Sequence, residues 1–454
     1  LARAIREREV SAEEVVNATL ERIEAVNPLL NAVVQLRADA ARQEAREMDA
    51  ALARGENKGP LHGIPVTIKD AFETAGIIST AGTKGRASFM PSADDTAVAR
   101  LRDAGAIILG KTNVPELSLA FESDNLIYGR TNNPYDLART PGGSSGGEAA
   151  IIAAGGSPLG LGTDLAGSIR VPSHFCGIAG LKPTTGRVPR TGHFPPRGGL
   201  TTELSQAGPM ARRVEDLALM LPIICGVDWR DPTVIPMPLG NPASVDLKTL
   251  RVAFHTDNGI ATPTPETIEI VKSAALALAE AGVVVDDARP QGIEETYELM
   301  HSLLGADGGA GVKGMLLMAG TLETHPLLQR VQQLLSPRAI STAELNTLLV
   351  RLYRFRSRML SFMEDYDAII SPACAHPAMP HGSSFDENTG SAYSYTMTYN
   401  LTGWPSVVVR GATSPEGLPI GIQISARPWR EDVTLALASH IEKTTGGWQR
   451  PPPL

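Results

Sequence analysis

Short apolar, strand-like runs alternate with longer amphipathic, helix-like runs along nearly all of the 454 residues, and this alternation limits the fold more than any other feature. The chain opens with helices: Ser11 and Glu14 form a capping box ahead of VVNATLERIEAV, and ADAARQEAREMDAAL follows. GPLHGIPVTIKD then turns into a β-branched run ending at Lys69 and Asp70. After it come a capped helix (SADDTAVARLRDAG), a buried strand (AIILGKT), a helix behind a glycine loop (EAAIIAAGG), a strand (LGLGTD) and a helix (VEDLALMLPIICG). Beyond about residue 240 the pattern resumes with LRVAF, PETIEIVKSAALALAEAG and VVVDD, and a helical stretch continues to about residue 366. AIIS, SVVVR, GIQIS and a last helix, EDVTLALASHIEK, close the chain. Such alternation predicts an α/β fold with one central mixed β-sheet covered by helices on both faces. No internal repeat is present. PLGNPAS, near 238–244, has linker composition, but apolar elements resume at once, so a single domain spanning 1–454 is expected.

Charge and cysteine content remove several classes of function. The net charge of −8 is spread along the chain, which argues against nucleic acid as a partner. The 44 glycines and 34 prolines suit a loop-rich enzyme better than a helical bundle. Cys176, Cys225 and Cys374 are too few and too scattered for a disulfide framework or a metal site, so a reducing, cytoplasmic setting is expected. No run approaches the length of a membrane span, and no membrane partner is expected. The chain begins at Leu1 rather than Met, so whether a short leader precedes it is left open.

Two familiar patterns point to the wrong chemistry. Residues 105–112, GAIILGKT, match the phosphate-loop spacing. Their centre is Ala-Ile-Ile-Leu, which belongs in a buried strand, whereas an anion cradle needs small residues with free N–H groups at a helix start. PGGSSGGEAA fits G-x-S-x-G around Ser144 and Ser145, yet polar NNPYDLART precedes it where a nucleophile elbow needs a hydrophobic strand.

A different constellation survives. The glycine-serine run feeds directly into an apolar helix, which is not how a flexible linker behaves. Farther along, GTDLAGSIRVPS sets Ser168 among small residues whose N–H groups can converge on one point, as acyl transfer requires. Asp164 and Arg170 either brace this loop by pairing or form a solvated surface pair.

GIPVTIKD, PGGSSGGEAA and GTDLAGSIRVPSHFCGIAGLKPTTGRVP occur in this order over about residues 60–190 and resemble the amidase signature family. Weaker likeness extends to AGPMARRVEDLALML, NLTGWPSVVV and GLPIGIQIS. The resemblance implies a signature core at about 60–190, N-terminal helices at 1–55 and a variable substrate-pocket region at about 296–400. It also implies Ser168 as nucleophile, Ser144 as a bridging serine in a cis peptide and Lys69 as base, with Gly143 and Ser145 supporting the loop. The backbone N–H groups of Leu165, Ala166, Gly167 and Ser168 would form the oxyanion hole. Where this chain has Ala166 the family usually has Gly, so either the backbone there is ordinary or the methyl narrows the pocket.

The implied reaction is hydrolysis of a carboxylic amide through an acyl-enzyme, with ester hydrolysis on the side and no metal or organic cofactor. For Lys69 to act near neutrality its pKa must fall by roughly 3.4, about 4.6 kcal/mol, within the reach of a buried lysine. His62 and His174 read as structural and Cys176 as a packing thiol. The alternative activity is that of an amidotransferase A-type subunit supplying ammonia for a tRNA-linked substrate. The expected ligand is a small-molecule amide, and a homodimer is the default assembly.

Overall fold

In the computed structural model, which describes every residue except Arg197, Glu387, Asn388 and Leu454, the N-terminal capping box forms as expected. Ser11 accepts the Glu14 N–H, and Glu14 accepts the Ser11 N–H. The helix so started, Ala12–Leu30, buries Val16, Leu20, Ile23 and Leu30 against Ile107 and Leu109. Its three- and four-residue spacing is what one buried face of a helix requires.

Eleven strands among the described residues form one sheet. They are β1 (Val33–Leu36), β2 (Pro65–Lys69), β3 (Ile107–Thr112), β4 (Leu159–Asp164), β5 (Ala179–Lys182), β6 (Gln206–Ala211), β7 (Arg251–Phe254), β8 (Val284–Asp287), β9 (Ala368–Pro372), β10 (Ser406–Thr413) and β11 (Pro419–Ala426). Their spatial order is β1-β3-β2-β4-β6-β5-β10-β11-β9-β7-β8. The sheet is mixed: β2 runs parallel to β3 and β4, and β7 to β8 and β9, while β10 and β11 form an antiparallel pair. Strands from before and after 238–244 share this sheet, and that stretch carries only a short turn at Pro242–Ser244.

Successive strand residues serve opposite faces. In β9, Ala368 and Ile370 join a core with helices Val214–Ile224, Pro265–Glu280 and Glu431–Thr445, whereas Ile369 joins a second core with Thr342–Phe362 and Ser394–Leu401. Helices therefore cover both faces, as the alternation requires. No helix among the described residues is long and apolar enough to cross a membrane.

Strands β1, β5 and β6 go beyond the sequence reading. β5 (AGLK) and β6 (QAGPMA) lack β-branched residues, and neighbouring strands rather than local propensity hold them. Pro209 is tolerated because the β5–β6 ladder takes in only Met210 and Ala211.

Candidate active site

β2 and β4 lie side by side and parallel, so Lys69 and the Thr163-Asp164 pair both end strands at the same edge of the sheet. In open sheets of this kind ligands bind outside the carboxyl ends of the strands. The helix Gly146–Ala153 starts at that edge, and the glycine-serine run leads into it. The peptide between Gly143 and Ser144 is cis. A side chain at Gly143 would press on the Ala120 carbonyl oxygen at 2.6 Å, so only glycine fits there.

Lys69 is fully buried, its Nζ hydrogen-bonded to Ser144 Oγ at 2.6 Å and to Thr163 Oγ1 at 2.8 Å. Burial pushes the Lys69 ammonium down to about 7, against the opposing pull of Asp164 and Glu148. The sequence reading identified the lysine and Ser144 but not Thr163, which GTD presents as the residue before the bracing aspartate.

Ser145 ties this pair to the loop that carries Ser168. Its N–H donates to the Ser168 carbonyl at 3.1 Å, while its hydroxyl lies 3.4 Å from both the N–H and the carbonyl of Thr163. Ser168 stands next along that loop and keeps 6% exposure. No hydrogen bond joins the Ser168 and Ser144 hydroxyls among the described residues, and the Ser145 N–H bond to the Ser168 carbonyl ties the two segments together.

Asp164 organises the loop from within. It accepts the N–H groups of Gly167 (2.8 Å) and Ile169 (3.1 Å), and pairs with Arg170 at 2.8 Å with both side chains fully buried. Burial by itself would raise the Asp164 carboxyl, but Arg170 and Asn400 outweigh it and hold the group well below the usual carboxylate range. Arg170 also donates to Gln423 Oε1 and to the Thr396 carbonyl. The expected bracing pair is thus part of a wider network that includes Asn400, 236 positions from Asp164.

One member of the expected oxyanion set is engaged elsewhere. The Gly167 N–H is committed to Asp164, whereas those of Leu165, Ala166 and Ser168 donate to no described group. An N–H already donating at 2.8 Å is poorly placed to serve a second acceptor. Gly167 contributes its conformation instead: its φ is +130°, and a Cβ there would collide with Thr396 Oγ1. Ala166 has no positive φ, so its backbone is ordinary, and its carbonyl accepts from Thr396 Oγ1 at 2.7 Å.

The remaining candidates are structural. His174 Nδ1 accepts the Gly421 N–H at 2.7 Å and its Nε2 faces the His376 carbonyl at 2.9 Å, while burial lowers its pKa to about 4. His62 accepts the Lys58 N–H at 2.9 Å and meets the Met48 carbonyl. Cys176 is buried, with its Sγ directed at the Pro141 carbonyl, and burial raises its thiol well above the ordinary value. The phosphate-loop pattern is the buried strand β3, and Lys111 turns inward to the Phe72 carbonyl and Thr74.

The family model described as Amidase matches residues 14–435. Fatty-acid amide hydrolase 2-A of Danio rerio is 34% identical over 99% of this chain and 89% of its own length. Acylamidase of Rhodococcus erythropolis is 35% identical over 97% and 94%. The A-type subunit of glutamyl-tRNA(Gln) amidotransferase of Moorella thermoacetica is 33% identical over 100% and 97%. Among solved structures, 6-aminohexanoate cyclic dimer hydrolase superposes with a TM-score of 0.88 at 28% identity, over 99% of this chain and 97% of that one. The ordered motifs, the eleven-stranded mixed sheet and these whole-length matches agree: the chain belongs to the amidase signature family of amide-hydrolysing enzymes.

Proposed function

We propose that this protein hydrolyses small carboxylic amides through an acyl-enzyme on Ser168. The observation that carries the reading is the fully buried Lys69, held near neutrality and bonded to Ser144 at 2.6 Å. As Ser168 Oγ attacks the carbonyl carbon, its proton passes to Ser144 Oγ, and the Ser144 proton passes to neutral Lys69. The resulting oxyanion receives the N–H groups of Leu165, Ala166 and Ser168, each worth roughly 3 kcal/mol of barrier. Reversing the relay protonates the departing amine, and water then releases the acid by the same route. Esters, with a better leaving group, enter the same path. The three unpaired thiols, two of them buried, support a reducing, cytoplasmic setting.

The relatives differ in whether a partner is needed. An amidotransferase role requires other subunits and a tRNA-bound acceptor, whereas a stand-alone hydrolase does not. Incubating the purified chain with a panel of aliphatic, aryl, peptide-like and cyclic amides tests this. Amine or ammonia release by the chain alone supports the hydrolase. Release seen only from glutamine, and only with added partner subunits, overturns it.

A further inference from the structure

Among the buried carboxyls that the relay does not use, one lies on the sheet beside Lys69. Glu148 sits in the first turn of the helix Gly146–Ala153 and is fully buried. One of its oxygens takes a hydroxyl hydrogen bond from Thr67 of β2, the other from Thr112 of β3 at 2.7 Å. The carboxyl can lie flat on the sheet because Gly160 of β4 has no side chain, and a Cβ there would overlap it. Strand side chains alternate, so Thr67 and Lys69 leave β2 on the same face, about 7 Å apart along the strand. Glu148 therefore rests on the face from which Lys69 projects.

Resting on Lys69 as the base, we propose that the Glu148 carboxylate is the counter-charge for the ammonium that Lys69 becomes on taking the relayed proton. Glu148 is a positioning residue: it acts through Lys69 and touches no reacting atom. The surrounding charges make it the fitting group. Two anions act on Lys69, Asp164 and Glu148, and Asp164 is already bound to Arg170. Among the described residues Glu148 has no direct ion pair, only the two threonine hydroxyls. Lys111 on β3 acts on Glu148 more strongly than Lys69 does, but it is itself 3.9 Å from Asp70 and is also acted on by Asp95. His193, in the loop after β5, also feels Lys69 but is kept neutral by burial, and Lys182 at the end of β5 acts on Asp164 and Arg170. Burial moves Lys69 down to about 7 and Glu148 up to about 7, so the two change charge over the same range while each opposes the other's shift.

The test is the pH profile of single-turnover acylation by a chromogenic p-nitroanilide, compared in the wild type, Glu148→Gln and Lys69→Ala. Glu148→Gln keeps the shape and removes the charge. Its acid limb should move to lower pH by about 0.5–1, because Lys69 loses the anion that favours its protonated form. The plateau rate should fall about 3- to 10-fold with KM unchanged, since the ammonium formed in the transition state is less well compensated. A limb that stays in place overturns the proposal even if the rate falls. Lys69→Ala should lose the limb altogether; a limb persisting there refutes Lys69 as base and so separates the two failures. If Glu148→Gln does not fold, Thr112→Val serves: weakening the hold on the ionised carboxylate should move the limb the same way by less, and no movement overturns the proposal.

Discussion

Burying a lysine in its neutral form costs stability, and the cost has a pH signature. The perturbation is Lys69→Met, which keeps an unbranched side chain one atom shorter and removes the titrating group. Lys69 falls from 10.5 unfolded to about 7 folded, which corresponds to about 4–5 kcal/mol. Between those values the unfolded chain binds a proton that the folded chain does not, so wild-type stability rises with pH. The penalty is fully present below about pH 7 and disappears above about pH 10.5. Between about pH 7 and 9 the wild type should therefore gain about 2 kcal/mol relative to Lys69→Met. Met forfeits the hydrogen bonds to Ser144 and Thr163, at about 1–3 kcal/mol for each polar group left unpaired. That loss is independent of pH over this window, so it shifts the two curves without changing their divergence. Urea denaturation of both proteins at stepped pH measures the difference, and repeating the pair on Glu148→Gln removes the contribution of Glu148, which titrates over the same range and acts on Lys69. Parallel stability curves would refute a strongly lowered Lys69 and, with it, the neutral base.

Asp164→Asn should cost about 3–5 kcal/mol in urea denaturation, because it strands the fully buried Arg170 without its carboxylate; a loss under about 1 kcal/mol would contradict the bracing role. Gly167→Ala should lower kcat about 100-fold or more, since both its φ of +130° and Thr396 Oγ1 oppose a Cβ. Near-wild-type turnover in that variant would show that the loop tolerates rearrangement. Thr163→Val removes one of the two groups bonded to Lys69 Nζ, and should slow acylation about 10-fold while leaving KM in place.

What the sequence discloses, and what it does not, follows from the range of the interactions involved. Alternating β-branched runs and amphipathic helices mark β2, β4, β7 and β9 because each carries its own local pattern. β5 and β6 carry none, and they exist because strands on either side complete their ladders. Lys69, Ser144 and Ser168 are proposed from three ordered motifs. Thr163 and Glu148 lie inside those motifs, yet only the packing of β2, β3 and β4 under the helix Gly146–Ala153 shows what they touch. Asn400 opens NLTGWPSVVV, a stretch with recognisable likeness, but its link to Asp164 spans 236 positions and has no local signal. The Gly167 N–H is a case of the same kind: which N–H groups face a substrate depends on where Asp164 directs its oxygens.

The central claim is that Ser168, and not Ser144 or Ser145, carries the acyl group. Treating the protein with a fluorophosphonate probe and mapping the adduct by peptide mass spectrometry tests it most directly. The account predicts a single adduct on Ser168 in the wild type, retained but formed more slowly in Lys69→Ala, and absent in Ser168→Ala. An adduct on Ser144, or labelling that persists in Ser168→Ala, would contradict it.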